Sequence, residues 1–168
     1  DMNYRHAFHA GNFADVLKHV VLMMLVEHLK KKPAPFFYLD THAGGGTYDL
    51  SLGESQRSGE YKNGIGRLLE FPEAALAPEL ADYVRLVKAC AGAGRSAITA
   101  YPGSPTIVGR MRRRTDRLVL AETHAREAQA LQRAPLDPTR PDGGLVHRAP
   151  RARSSPGARA SMPSQSRA

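Results

Sequence analysis

The stretch Phe36–Leu50, FFYLDTHAGGGTYDL, decides how the rest of the chain is read. Phe36 to Leu39 are aromatic and apolar, with proline before them and glycine after, and predict a short buried strand ending at Asp40. Gly44, Gly45 and Gly46 then form the turn. A strand, an acid and a glycine-rich turn make a nucleotide-type cofactor loop, because glycine lets the backbone approach a ligand and the strand's carboxyl end faces the binding crevice. A purely structural turn is the alternative. The glycines fit neither G-x-G-x-x-G nor a phosphate loop ending in G-K-[ST], which disfavours dinucleotides and nucleoside triphosphates.

A second acid strengthens the functional reading. Arg117 to Glu122, RLVLAE, predicts another strand, ending in a carboxylate able to accept both ribose hydroxyls of a nucleoside. Asp40 and Glu122 lie 82 positions apart, against roughly 20 in a simple dinucleotide-binding unit. Between Ser51 and Arg95 no strand signal appears, and Ile65, Leu68 and Leu69, then Leu76, Leu80, Tyr83, Val84, Leu86 and Val87, suggest two or three helices. Residues 51–95 therefore read as a helical insertion. Upstream, Asn12 caps a helix with Asp15 placed as in a capping box, and Val16, Leu17, Val20, Val21, Met24, Leu25 and Leu29 recur at helical spacing until Pro33 and Pro35. Downstream, Ser104 reads as an N-cap with Pro105 at the first helical position, and Thr123 to Arg133 is helix-forming. Helix, strand, helices, strand, helix gives an α/β order.

Composition narrows the class. The chain has 168 residues, 42% hydrophobic, enough for one domain with a sizeable core. No run approaches the roughly 18 apolar residues of a membrane span, and no signal-peptide pattern opens the sequence, so a cytoplasmic location is expected. The single cysteine, Cys90, excludes an intrachain disulfide. A net charge of +8 suits a polyanionic partner. Half of that charge sits after Arg133, where six arginines meet only Asp137 and Asp142. This last segment also holds six of the twelve prolines and no aromatic residue, so 134–168 is expected to be a disordered tail. Its abrupt enrichment in Arg, Pro, Ala, Ser and Gly is what an out-of-frame reading of a GC-rich gene would give. Within the remainder, Arg110, Arg112, Arg113, Arg114 and Arg117 form a compact basic cluster, readable as a phosphate-contact surface or as a solvated helix end.

Five segments carry a resemblance. YRHAFHAGNFADVLKH (Tyr4–His19), YLDTHAGGGTYDL (Tyr38–Leu50), GEY (Gly59–Tyr61), YPGSP (Tyr101–Pro105) and LAETH (Leu120–His124) resemble the bacterial large-subunit ribosomal RNA methyltransferase J family. The resemblance runs from Asn3 to about Arg133. It implies a Rossmann-like class I methyltransferase fold, of which this chain carries the N-terminal part of the sheet, residues 1–133 forming a partial S-adenosylmethionine-binding domain. It also implies S-adenosylmethionine-dependent methylation of N6 of an adenine in 23S rRNA, presented protein-free or as an early precursor, by a monomer that uses no metal. Carried over residue by residue, His19 and His42 contact the methionine part of the cofactor, Gly44 lets the loop pass close, Ser104 adds a polar contact and Glu122 holds the ribose. Tyr4, His6 and Lys18 stand near the adenine as catalytic residues, on a leader that closes over cofactor and substrate. From the residues alone, His19 reads equally as a core position beside Val16 and Val20, Ser104 as a helix cap, and the leader as an unstructured terminus. His6 and His9 have no further metal-ligand cluster beside them.

One family element has no counterpart here. Amine methyltransferases of this kind hold the exocyclic amine with an Asp-Pro-Pro-aromatic strand end. The sole Asp-Pro in the chain, Asp137-Pro138, is followed by Thr139 and preceded by no apolar strand. Asp142-Gly143 resembles a family cofactor-site dipeptide in unrelated surroundings. Catalysis by the chain as it stands is therefore in doubt, and a non-catalytic RNA- or cofactor-binding fragment is the alternative.

Overall fold

A computed structural model describes residues 6–51, 53–91, 99–134, 136 and 145–147. In chain order the elements are α1 (His6–His9), α2 (Phe13–Lys30), β1 (Phe37–Asp40), β2 (Thr47–Asp49), α3 (Gly53–Ser58), α4 (Ile65–Leu69), α5 (Pro78–Ala91), β3 (Ala100–Pro102), α6 (Ser104–Met111), β4 (Arg117–Ala121), α7 (Ala125–Arg133) and β5 (Leu145–His147). Short 3-10 turns at Glu60–Asn63 and Glu73–Ala75 separate the helices of the insertion. The fold is mixed α/β around a small parallel sheet of order β1-β4-β5, with Tyr38 opposite Leu118 and Asp40 opposite Leu120. Parallel pairing brings the carboxyl ends of β1 and β4, and so Asp40 and Glu122, to the same edge.

The excursion between β1 and β4 is pinned by a pair of strands absent from the sequence reading. β2 and β3 run antiparallel with Tyr48 opposite Tyr101, closing the base of the α3–α5 insertion. Their three residues each are too few to show a period of two. Buried side chains gather in two clusters. Ile65, Tyr83 and Val87 of the insertion and Tyr101 of β3 pack with Val20 and Met23 of α2, while Val26 of α2 packs with Val108, Leu118, Leu120 and Leu131. Helix α2 therefore holds the insertion to the sheet.

The helix starts as its sequence predicts. The Asp15 N–H donates to Asn12 Oδ1 at 2.9 Å, and Asp15 Oδ2 accepts the Gly11 N–H at 3.2 Å, a capping box whose return arm reaches one residue further back. The leader departs from expectation from His6 onward. It forms α1, packs on α3, donates no period to the sequence because it is one turn long, and is fixed by the Ser58 hydroxyl on the Phe8 carbonyl and by His9 Nδ1 at 3.0 Å from Glu60 Oε2. The His9 and Asn12 side chains hold the Glu60 carboxyl below the usual range. Tyr4 lies outside the described residues.

Three further expectations change. Strand β1 is only half buried: Tyr38 and Asp40 face the packed side, while Phe37 is 60% exposed and Leu39 faces the same open side. Leu17, Val21, Met24, Leu25 and Leu29 of α2 are exposed, although their spacing is helical, because α2 is covered on its other side by Asp15, His19, Val20, Met23 and Val26. Beyond Arg133, where a disordered tail is expected, Leu136 is buried in the sheet-side core and Leu145–His147 pair with β4. Apart from Ala134, Leu136 and Leu145–His147, residues 134–168 lie outside the described residues.

Two of the five arginines of the cluster are turned inward. Arg112 is buried and donates to the Asp116 carbonyl, and Arg113 binds Asp116 while donating to the carbonyls of Lys32 at 2.7 Å and Ala34 at 2.8 Å. Arg114 and Arg117 remain exposed.

Candidate cofactor site at the carboxyl ends of β1 and β4

The loop Thr41–Gly46 leaves β1 and turns back into β2 under three sets of ties. Two come from the strand-end acids. Asp40 Oδ1 accepts the His42 N–H at 3.1 Å, and its Oδ2 accepts the Ser104 hydroxyl at 2.6 Å and the Tyr38 hydroxyl at 3.1 Å. Glu122 Oε2 accepts the Gly44 N–H at 2.8 Å, and Oε1 accepts the His124 N–H at 2.7 Å. The third tie runs through Gly46, whose carbonyl accepts the Gly103 N–H at 2.8 Å and the Thr106 hydroxyl at 2.7 Å. The start of α6 is thereby fastened to the glycine loop.

These contacts explain the glycines. Gly44 sits at φ +63°, and a Cβ there would lie 2.1 Å from the Tyr48 hydroxyl; Gly46 sits at φ +80° against Leu131 and Ala134. Left-handed φ and the absence of room both demand glycine. The Tyr48 hydroxyl accepts the Gly45 N–H at 3.2 Å, and burial with the nearby Glu127 carboxylate pushes its phenol pKa up, so it stays neutral. Tyr48 is a support of the loop, and Glu127 a close neighbour of Gly45, that the sequence reading missed. A tyrosine two residues after the glycines was the available signal.

Ser104 is not the N-cap. Gly103 takes that position, with φ −84° and ψ 174°, and Ser104 is the first helical residue, its hydroxyl committed to Asp40. The polar role replaces the capping role because β3 delivers Ser104 beside the end of β1. His42 is exposed on the loop, its Nδ1 2.9 Å from the Thr41 hydroxyl. Glu122 is 9% exposed.

His19 occupies the core position that its helix face suggests. Its Nδ1 lies 3.2 Å from the Tyr83 hydroxyl and 3.1 Å from the Tyr101 hydroxyl, which are 2.7 Å from each other, and its ring stacks on Tyr101 at 5.6 Å. Burial raises both phenol pKa values, so both hydroxyls stay protonated and able to donate. Tyr101 faces Tyr48 across β2–β3, so this triangle underlies the loop. Lys18, one residue earlier, is 62% exposed at its side chain, with Nζ 3.2 Å from Asp15 Oδ1. His6 opens α1. The structure thus joins Gly44, Ser104 and Glu122 through the loop and Asp40, adds exposed His42, and sets His19 beneath them. Among the described residues no group of three or more His, Cys, Asp or Glu side chains could hold a metal, and no helix is long and apolar enough to cross a membrane.

The donor set fits a nucleoside-type cofactor. Each carboxylate oxygen of Glu122 accepts a single backbone N–H, and a carboxylate offers about four acceptor sites, so capacity remains for ribose hydroxyls. The family model for ribosomal RNA large subunit methyltransferase D, RlmJ, matches residues 33–141, more than half of the chain and all of this site except the α2 and leader residues. The chain belongs to this family. Its likeness to individual members is close: 49% identity over 123 residues with ribosomal RNA large subunit methyltransferase J of Haemophilus influenzae, and 46% over 123 residues with the protein of that name from Escherichia coli K12. Each alignment takes in 73% of this chain but only 43% and 42% of the relative. A crystal structure of a Legionella pneumophila protein superposes with a TM-score of 0.68 at 36% identity, covering 82% of this chain and 47% of that one. The chain spans less than half the length of the RlmJ relatives it matches.

Proposed function

We propose that this chain carries the S-adenosylmethionine-binding part of a 23S rRNA adenine-N6 methyltransferase, built as the N-terminal portion of a Rossmann-like class I methyltransferase sheet. The observation that carries the reading is the Glu122 carboxylate at the end of β4, locked to the Gly44 amide at 2.8 Å beside the end of β1. In parallel α/β sheets the crevice outside the carboxyl strand ends is where ligands bind, and an acid at the second strand end is placed for a ribose. Bound there, S-adenosylmethionine supplies the methyl group. Glu122 would hold the ribose, Gly44 would admit the cofactor close to the backbone, and His42 and Ser104 would contact its methionine part, with Asp40 orienting Ser104. His19 would act from beneath the loop. Tyr4, His6 and Lys18 would serve the adenine, Lys18 from an exposed position on α2. Residues 1–133 form the partial domain, with 51–95 as its helical insertion, and the family match to Pro141 and the buried Leu136 support a folded unit that runs on somewhat further.

Replacing Glu122 tests the assignment. Loss of a charged hydrogen-bond partner costs about 1.5–3 kcal/mol, or roughly 10- to 150-fold in affinity. Glu122→Ala should therefore weaken S-adenosylmethionine by that factor in a calorimetric titration, with circular dichroism confirming that the variant is folded. A folded variant of unchanged affinity would remove Glu122 from the site.

A further inference from the structure

Helix α2, the helical insertion and β3 each send one polar side chain to a single buried point: His19, Tyr83 of α5 and Tyr101. Both tyrosines are fully buried, and His19 is 5% exposed. Their polar atoms contact one another at 2.7, 3.1 and 3.2 Å, and the buried Asp15 carboxylate joins the group through a hydrogen bond with the Tyr101 hydroxyl. Buried polar atoms are hydrogen-bonded, so the hydrogens can be counted. Each neutral phenol donates one. The Tyr101 hydrogen goes to Asp15, since a carboxylate is the strongest acceptor in the group. The Tyr83 hydrogen goes along the shortest contact, to the Tyr101 oxygen at 2.7 Å. With both hydroxyl hydrogens committed, the contacts at His19 Nδ1 take theirs from the ring.

We propose that Tyr83 and Tyr101 are positioning residues for His19, fixing its ring with the proton on Nδ1 and the lone pair on Nε2, so that His19 meets the cofactor as an acceptor of its α-ammonium group. Nδ1 faces two hydroxyls that are fully buried, so a ligand that meets this ring meets it on the Nε2 side. Nε2 lies 4.0 Å from Asp15 Oδ1. An acceptor nitrogen beside a carboxylate suits a cationic N–H group, and on the methionine part of S-adenosylmethionine that group is the α-ammonium, not the α-carboxylate. Through Tyr83, the helical insertion takes part in cofactor recognition. The ligand named here rests on the cofactor reading above; the protonation of the ring does not.

The test is long-range proton–nitrogen correlation spectroscopy on the 168-residue chain carrying nitrogen-15 histidine, which separates protonated from unprotonated ring nitrogens. His19→Asn identifies the resonances. The expected spectrum of the unsubstituted chain has a protonated Nδ1 and an unprotonated Nε2. Tyr83→Phe keeps that state, because Tyr101 still offers its oxygen to the Nδ1 proton. Tyr101→Phe reverses it, because the Tyr83 hydrogen then turns to Nδ1. Each variant removes one buried hydroxyl and keeps the ring, so a merely structural role would not set the two apart, and circular dichroism checks that both are folded. In calorimetry, Tyr101→Phe should weaken S-adenosylmethionine by about tenfold or more, and its decarboxylated analogue, which keeps the amine, to the same degree, while Tyr83→Phe leaves both within about threefold. A proton on Nε2 in the unsubstituted chain, or the same ring state in both variants, would overturn the proposal. An effect of Tyr101→Phe that vanishes with the decarboxylated analogue would overturn the ammonium assignment. A chain that shows the expected ring states and binds neither compound would sink the cofactor reading and the ligand with it, and uphold the hold of the two tyrosines on His19.

Discussion

Given labelled S-adenosylmethionine and unmodified, protein-free 23S rRNA, the 168-residue chain is expected to transfer no methyl group above background under conditions in which the full-length Haemophilus influenzae relative turns over. The lone pair of an exocyclic adenine amine is delocalised into the ring, and attack on the methyl group depends on holding that amine in line with directed hydrogen bonds. Positioning of this kind accounts for roughly 7–11 kcal/mol of barrier lowering, five or more powers of ten in rate. The 168 residues contain no Asp-Pro-Pro-aromatic sequence to supply it. Asp40 and Glu122, the two strand-end carboxylates, are turned onto the Ser104 hydroxyl and the loop amides. A fusion that continues the chain with the missing part of the relative should restore turnover. Equal rates from the chain alone and from the fusion would show that the leader and Lys18 suffice for the chemistry.

The second large effect concerns stability and centres on Asp116, which is 2% exposed. Its Oδ1 accepts the Phe36 N–H at 3.0 Å and its Oδ2 the Arg113 N–H at 2.6 Å, while the Arg113 guanidinium closes on both oxygens and on the carbonyls of Lys32 and Ala34. This cluster ties the α2–β1 connection to the α6–β4 turn and so sets the register of the two strands that carry the site. Removing one member of a buried ion pair costs about 3–5 kcal/mol. Because Arg113 is partly exposed, Asp116→Ala should cost about 3 kcal/mol, read as a shift in the urea midpoint. The pH dependence has a definite sign. Burial alone would raise the Asp116 pKa, but the Arg113 side chain and the Phe36 and Arg113 amides outweigh it and hold the value below the ordinary one. The stabilisation is complete above the unfolded-state pKa of about 3.9 and is lost as pH falls through the lower folded value. Asp116→Asn should therefore flatten the loss of stability below about pH 4. An unchanged acid limb would contradict that account.

What could be read from the sequence was local and strongly punctuated. Asn12 and Asp15 mark the start of α2, the prolines mark its end, and the two short runs before Asp40 and Glu122 are strands because apolar residues stop abruptly at an acid. The glycines were legible as a turn, and the left-handed φ at Gly44 and Gly46 is why no other residue serves there. What was not legible depends on tertiary neighbours. Three-residue strands such as β2 and β3 gain their hydrogen bonds from each other, with the α3–α5 insertion between them. Ser104 followed by Pro105 has the local pattern of a cap, and only the delivery of α6 to the end of β1 gives the hydroxyl to Asp40. A row of arginines looks like a phosphate surface until Arg112 and Arg113 are seen turned inward onto Asp116 and the chain before β1. Helical spacing likewise gives no sign of which side of α2 is covered, because both sides are apolar.

The central claim is that the loop Thr41–Gly46, clasped by Asp40, Ser104 and Glu122, is a cofactor site. The most direct measurement is an amide NMR titration of the chain with S-adenosylmethionine. The account predicts saturable shifts at His42, Gly44, Gly45, Ser104 and the Glu122–His124 turn, abolished by Glu122→Ala. Shifts confined to the far ends of α2 and α5, or none while the Haemophilus influenzae relative binds under the same conditions, would contradict it.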